Sequence, residues 1–485
     1  MSARRGVHAA CALAALAAGC AVNPATGKRQ LSLIGERDEI AIGREHDRTV
    51  AAEMGLVDDE PLQGYVAALG GRLAAVSERP ALEWTFRVVD DPVVNAFALP
   101  GGYVYVTRGI LAHLRSEAEL ATVVGHEIGH VTARHSVNQM SKAQLAQLGL
   151  GIGAILAPEQ AESVGSLAGA GLGLLMLKYG RDDERQADEL GLRYLVAAGL
   201  DPRPAPDVFD MLARVGAAAG GERLPSWASS HPAPENRRQQ MEARIAALGP
   251  RSTPGGVDDE AYLRRIDGLV FGEDPRQGLF EGDRFVHPEM AFQLEFPAGW
   301  RRQNQHAAVV AVSPGADATI LLTLAAEKSA AEALERFFAG EGVRRTGEPM
   351  QSIHGLPTAG GGFGAGSGTG AVAGRVGFVE LGGRVLRLMG YAAEASWTGH
   401  ETTIRRALAS FDRLTDARLL AIEPARLRIV RAERTMTLEE FAAAHAATAP
   451  VETLALINRL DPGESVRKGR AYKVVAGGEP QKPRG

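Results

Sequence analysis

The sequence predicts a multidomain fold: a mainly α-helical N-terminal domain with a small β-sheet, then an α+β domain, then a small βααβ module. Three observations predict it. At 485 residues the chain exceeds one ordinary core, which serves about 100–200 residues. Apolar residues recur at helical spacing through most of residues 36–250. Beyond position 284 they fall instead into short strand-like runs. Hydrophobic residues make up 45% and charged residues 23%, a globular composition. The formal net charge of -5 offers no basic excess, so no nucleic-acid partner is expected.

The N-terminus reads as an export signal. Arg4 and Arg5 form a positive start, and Ala9 to Ala18 form an apolar run too short to span a bilayer permanently. Residues 1–19 are therefore expected to be a signal peptide. Leu16-Ala17-Ala18-Gly19-Cys20 resembles a bacterial lipobox, with Ala17 where leucine is commonest. Lipidation of Cys20 would make the chain a periplasmic lipoprotein, and Ala21 rather than aspartate after it favours the outer membrane. An ordinary signal peptide with a chance cysteine is the competing reading. Only Cys11 and Cys20 occur, so the mature chain has no thiol for a disulfide, and a metal site must use nitrogen and oxygen.

Residues 20–35, with Asn23-Pro24 and Thr26-Gly27, read as a polar tether. Ile40, Ile42, Val50 and Met54 suggest a helix from Glu36 to Leu56, and Leu62, Val66, Leu69 and Leu73 suggest a second from Pro61 to Val76. The period then shortens. Trp84-Phe86-Val88, Val94 to Leu99 and Tyr103 to Thr107 predict a small antiparallel sheet turning at Pro100-Gly101-Gly102. A helix follows around Gly109 to Leu114. Ser116 with Glu119 reads as a capping box opening a long helix to about Met140. The Gly-rich apolar stretches 145–156 and 164–177 are each too short to cross a membrane. They read as buried core helices, or as a mobile or membrane-dipping cover. Arg181 to Ala198 is a helix stopped by Gly199, and two more helices are expected between Pro204 and Gly249. Residues 251–283 read as a linker. The α+β domain, 284–414, has strands at Phe292 to Phe296, Val309 to Val312, Ile320 to Leu324, Val376 to Leu381 and Arg384 to Tyr391. Its helices are Ala330 to Phe338 and about Glu401 to Ser410, and Gly360 to Gly370 reads as a glycine-rich loop or hairpin.

The chemistry lies in His126-Glu127-Ile128-Gly129-His130. Residues four apart on a helix share a face, so the two imidazoles can hold one metal ion, and zinc suits such ligands. Glu127 would take a proton from the attacking water and pass it to the leaving amine. A third ligand is needed. Glu184 in Glu184-Arg185-Gln186-Ala187-Asp188 is the candidate, with Asp188 one turn on to accept a hydrogen bond from a ligand histidine. By spacing alone that run reads equally well as a charged solvent face. His135, five residues past His130, is expected to face elsewhere, and His46 and His113 to lie on the surface.

These motifs, in this order, resemble the gluzincin zinc metallopeptidase family of the CAAX prenyl-protein peptidases, the heat-shock protease HtpX and the β-barrel assembly-enhancing protease. Asn95-Ala96-Phe97-Ala98-Leu99-Pro100-Gly101, the Asn23-Pro24-x-Thr26-Gly27 tether, and Ser230-His231-Pro232 with Arg237 also match. The resemblance covers about residues 23 to 248 and favours the exported lipoprotein branch. It implies one Zn2+ on His126, His130 and Glu184, with Glu127 as general base and acid and Asp188 orienting a histidine. It implies a substrate edge strand at Asn95, Ala96, Phe97 and Ala98. Arg237 would be an electrostatic partner for the oxyanion or a carboxylate. His231 would be a fourth ligand that keeps the enzyme latent, or simply a surface histidine. The implied function is endoproteolysis of unfolded or misassembled envelope proteins. A latent or non-proteolytic lipoprotein acting as chaperone or scaffold is the alternative. Residues 284–414 faintly resemble PsbP-like or Mog1-like domains. Residues 424–476 resemble a lysin-motif module but have Glu433-Arg434-Thr435 in place of Gly-Asp-Thr. Peptidoglycan or the outer-membrane assembly machinery would then be partners.

Overall fold

The structure, a computed structural model, describes residues 20–144, 179–218, 227, 231, 236–249, 259–350, 352–366, 370–461 and 463–478. The expected signal peptide and the Gly-rich stretches at 145–156 and 164–177 lie outside the described residues.

The tether, with its turn residues, folds into a hairpin. Strand β1 (Cys20–Val22) pairs with β2 (Arg29–Leu31), and Asn23 Oδ1 accepts from the Ala25 and Thr26 amides to close the hairpin. Helix Glu36–Met54 follows, then Glu60–Ala74, which is capped by the Asp59 carboxylate and buries its Leu62, Val66, Leu69 and Leu73 stripe.

Strands β3 (Thr85–Val89), β4 (Ala96–Leu99) and β5 (Tyr103–Thr107) form a sheet in the order β3-β5-β4. It is mixed, not purely antiparallel as expected: β5 runs parallel to β3 and antiparallel to β4. The reason is the tight turn: Gly101 and Gly102 (φ 82° and 103°) fold β5 back against β4, while the Thr85 amide, donating to Gly102 O, sets β3 along the other side of β5.

The helix expected to run to Met140 stops at Thr132. Arg134 adopts a left-handed backbone, φ 57°, and helix resumes at 135. Glu39, which is 1% exposed, holds this bend from below. Its carboxylate meets Arg79 at 2.6 Å and Arg134 at 2.8 Å, and Asn23 Nδ2 donates to Ala133 O. An Arg in this conformation is paid for by that buried network.

The described part of the expected linker, from residue 259, is packed rather than loose. Helix Asp259–Arg265 buries Tyr262 and Leu263, and Ile266, Leu269 and Phe271 continue into the core. Beyond it, a seven-stranded antiparallel sheet has the order β12 (Val343–Thr346), β13 (Thr358–Ala365), β14 (Val372–Leu381), β15 (Arg384–Ala393), β11 (Ala318–Ala325), β10 (Ala308–Val312) and β9 (Arg301–Gln305). A four-stranded sheet orders β16 (Asp412–Arg413), β8 (Phe292–Glu295), β7 (Arg284–His287) and β6 (Leu279–Glu281). The glycine-rich stretch expected as a loop or hairpin supplies β13 (Thr358–Ala365), paired with β12 (Val343–Thr346) and β14 (Val372–Leu381). Glycine is required by close approach: a Cβ at Gly360 would meet Val376 O at 2.4 Å, and one at Gly362 would meet Thr346 O at 2.3 Å.

The last module pairs β17 (Arg426–Arg431) with β18 (Ala471–Ala476) around helices Leu438–Ala444 and Val451–Asn458. It shares one apolar core with the N-terminal helices: Leu120 and Val124 belong to the same buried cluster as Leu454, Ile457 and Val474. No described helix is long and apolar enough to cross a membrane.

Candidate metal centre

The site grows from the crossing of two helices. The active-site helix, Glu117–Thr132, begins at Ser116, whose Oγ accepts from the Glu119 amide. The reciprocal half of the expected capping box shifts by one residue, because the Glu119 carboxylate accepts from the Arg115 amide. The carboxylate helix, Arg181–Ala197, crosses it at Gly125, Gly129 and Gly191. A Cβ at Gly191 would lie 2.9 Å from His126 N, and one at Gly129 would lie 3.0 Å from Ala187 O. Only backbone against backbone brings short acidic side chains within reach of the imidazoles.

That crossing assembles the residues singled out from sequence. Nitrogen or oxygen atoms of His126, His130, Glu184 and His231 lie within 4.8 Å of one another, all buried. His126 Nε2 is 3.0 Å from His130 Nε2 and 3.6 Å from Glu184 Oε2, while His130 Nε2 is 3.4 Å from Glu184 Oε1. Glu184 therefore faces the imidazole pair and not solvent. His231 Nδ1 approaches Glu184 Oε1 at 2.9 Å and His126 Nε2 at 3.3 Å, with the Trp227 ring stacked on the imidazole at 4.3 Å. Glu127 is fully buried beside the group, with His231 Nε2 3.6 Å from its Oε1.

The outer contacts set the tautomers. Asp188 Oδ1 lies 2.9 Å from His126 Nδ1, so that nitrogen carries the proton and Nε2 presents its lone pair to the cluster. Arg237 grips Asp188 with two contacts, at 2.6 and 2.9 Å. Its Nη1 lies 3.1 Å from Glu184 Oε2, near enough for attraction though out of line for a hydrogen bond. Of the two partners expected for Arg237, its observed contacts are to carboxylates. His135 corrects the sequence reading. Its Nδ1 is 3.0 Å from His130 Nδ1 and its Nε2 is 2.9 Å from Gln186 Oε1. With Nε2–H donating to Gln186, His135 accepts the His130 Nδ1 proton, leaving His130 Nε2 free for a ligand. Tyr179, whose ring lies 3.9 Å from His130, and Trp227 were also missed. His113, expected at the surface, is buried, and its Nδ1 contacts Gly109 O at 2.7 Å.

The donor set fits zinc. Two lone-pair nitrogens facing each other at 3.0 Å share no proton, so a cation is what reconciles them. Tetrahedral ligands at ~2.0–2.1 Å from zinc stand about 3.3–3.4 Å apart, which the observed spacings of 3.0 to 3.6 Å bracket. Both Glu127 oxygens, Glu184 Oε2 and His231 Nε2 are buried without a hydrogen-bond partner, the signature of groups awaiting an ion, water or substrate. Burial pushes the Glu127 carboxyl up, against the pull of His231 and His126. Burial also opposes charge on Glu184, but His231, His130 and His126 hold its carboxyl well below the usual range. In Asp188 the Arg237 guanidinium overcomes burial in the same way.

β4 lies at the edge of its sheet, though all four of its residues are buried. It pairs with β5 on one side, and among the described residues no strand pairs with its other side.

Comparison with known proteins matches residues 60–245 to the model for peptidase family M48. Mitochondrial metalloendopeptidase OMA1 of Arabidopsis thaliana is 35% identical over 187 residues, 38% of this chain and 36% of that protein. A putative beta-barrel assembly-enhancing protease of Vibrio cholerae is 34% identical over 248 residues, 50% of this chain and 51% of that protein. The Escherichia coli beta-barrel assembly-enhancing protease is 28% identical over 244 residues, 48% of this chain and 49% of that protein. The chain thus spans about half or less of the length of these relatives. A PsbP structure from Synechocystis covers 28% of this chain and 95% of its own at 14% identity and TM-score 0.24, a likeness too weak to argue from. Three imidazoles and a carboxylate converge beside a buried glutamate, all within the stretch, residues 60–245, that matches peptidase family M48.

Proposed function

We propose that this chain is a zinc-dependent endopeptidase that cleaves unfolded or misassembled cell-envelope proteins. The observation that carries it is the buried four-residue donor group with an unpartnered Glu127 carboxylate beside it. His126, His130 and Glu184 would hold the ion. Zinc in such a site supplies Lewis acidity, making water nucleophilic near neutral pH and polarising a peptide carbonyl. Glu127, its carboxyl raised by burial, accepts the water's proton and returns it to the leaving amine. Asp188 fixes the His126 tautomer, and Arg237 holds Asp188 in place. The open edge of β4 would take an extended substrate segment as an added strand, starting at Asn95.

The envelope setting rests on the printed names of the relatives and on the Cys20 lipobox, which would anchor the hairpin of β1 and β2 at the outer membrane. The 2.9 Å approach of His231 to Glu184 supports a latent form in which this histidine occupies the position substrate needs. Zinc analysis paired with cleavage of an unfolded casein-type substrate tests the reading. Glu127→Gln should retain zinc and lose cleavage by ~10²-fold or more, and His231→Ala should raise basal cleavage. Undiminished cleavage by Glu127→Gln would remove Glu127 from the chemistry. A fully inert wild type that still suppresses aggregation would favour a chaperone or scaffold.

A further inference from the structure

Lys473 lies in β18, far along the chain from the metal site, yet its side chain is fully buried. Its Nζ donates to Ala112 O at 2.7 Å, Leu114 O at 2.5 Å and Ile457 O at 3.2 Å. Ala112 lies in the last turn of the short helix Arg108–His113 and Leu114 caps it; their carbonyls, without partners within the helix, are satisfied by the Lys473 Nζ donors. Ser116, two residues on, caps the active-site helix.

A second grip falls on that helix itself. Arg459 takes the Glu119 carboxylate in a two-pronged pair, 2.7 and 2.5 Å, with side-chain exposures of 11% and 4%. Arg115 Nη1 donates to Asn458 O at 2.9 Å, and Asn458 Nδ2 in turn donates to Lys473 O at 2.8 Å. Helix Val451–Asn458 also packs against Arg108–His113 and against helix Ala205–Ala218. The rest of the module is tied on by backbone: Phe271 N donates to Ala425 O and Leu427 N to Leu269 O, both at 2.8 Å. Residues 271 and 425 thus touch, and the strand-rich residues between them form an excursion from one continuous core.

We infer that the C-terminal βααβ module is an intramolecular clamp of the peptidase core, in which Arg459 and Lys473 are positioning residues for the start of the active-site helix. Glu119 precedes His126 by seven residues, about 10 Å along the helix axis. Loosening that end lets the helix shift against the carboxylate helix and pull His126 and His130 out of register with Glu184. The module's apolar face and its Asn458-Arg459 corner are spent on this contact. The inference rests on reading the histidine–glutamate group as a metal site.

The test uses the full-length chain with Arg459→Gln, Glu119→Gln and the double variant. Zinc affinity is measured by chelator competition, and amide hydrogen exchange is followed at Val474, Val475 and the first turn of the active-site helix. Each single variant should lower zinc affinity about tenfold. The double should be no worse than the weaker single, because both cut the same pair. Lys473→Met, which keeps the length and removes the ammonium, should act at least as strongly. A loosened module with zinc affinity within twofold of wild type overturns the inference. So does a module that stays protected in all these variants, since Arg459 and Lys473 would then not seat it. Failure of wild type to bind zinc would instead sink the metal reading.

Discussion

Gly191→Ala offers a sharp probe of the site, because it adds one methyl where the two metal-binding helices touch. The new Cβ would stand 2.9 Å from His126 N and 3.0 Å from Gly125 C, about 0.5 Å short of the 3.4 Å at which ordinary contact begins. Both neighbours are backbone, so no side chain can swing aside. The helices must part by roughly that 0.5 Å. Overpacking of this kind costs about 1–3 kcal/mol of stability. The functional cost should be clearer, because Glu184 and Asp188 ride on the displaced helix. A 1 Å misplacement near reacting groups can cost ~10²-fold, so about half of it should cost on the order of tenfold in kcat/KM. Zinc affinity should fall comparably. The assay is cleavage of an unfolded substrate together with chelator competition, on Gly191→Ala and on Gly64→Ala as control. Gly64 lies in helix Glu60–Ala74 with nothing within 4 Å of a new Cβ, and its replacement should stabilise by about 0.5–1 kcal/mol without touching activity. If Gly191→Ala keeps zinc affinity and cleavage within twofold of wild type, close helix approach is not what builds the site.

Two further outcomes follow from the same geometry. Asp188→Asn should weaken zinc binding about 10–100-fold, since the amide no longer enforces the His126 Nδ1–H tautomer; chelator competition reads this directly. His113 should make stability pH-dependent below neutrality. Burial holds its pKa down at about 4 against an ordinary 6.5, so the unfolded chain binds the extra proton between those values. Its contribution is intact above pH 6.5 and drains away as pH falls toward 4, by about 3 kcal/mol at most. Urea titrations at pH 7.5, 5.5 and 4.5 should show the decline, shallower in His113→Gln.

Much of the site was legible because its signals are local. His126 and His130 are one helical turn apart, so their shared face follows from helix geometry alone, as does the pairing of Glu184 with Asp188. His135 was misread for a reason that is not local. On an unbroken helix a residue five further on points elsewhere, but the left-handed Arg134 turns the chain back so that His135 meets His130 at 3.0 Å. That bend depends on Glu39, some 95 residues earlier. The mixed sheet escaped for a similar reason, because the parallel pairing of β3 with β5 joins segments that β4 separates in the chain. The glycine run, readable as a loop or hairpin, is a hairpin, and its glycines leave the room that neighbouring backbones need.

What the sequence determined by itself is the shared face of His126 and His130 with Glu127 between them, because donor type and helical period are written within five residues; spacing alone left Glu184 equally readable as part of a solvent face. What only the tertiary structure decided is the company these groups keep. Glu184 turned inward instead of to solvent, His231 came within 2.9 Å of it, and a C-terminal lysine was buried against the end of the short helix that precedes the active-site helix. Each of those outcomes depends on burial shared between segments tens to hundreds of residues apart, and no local pattern encodes a cost that falls due only when the chain is packed.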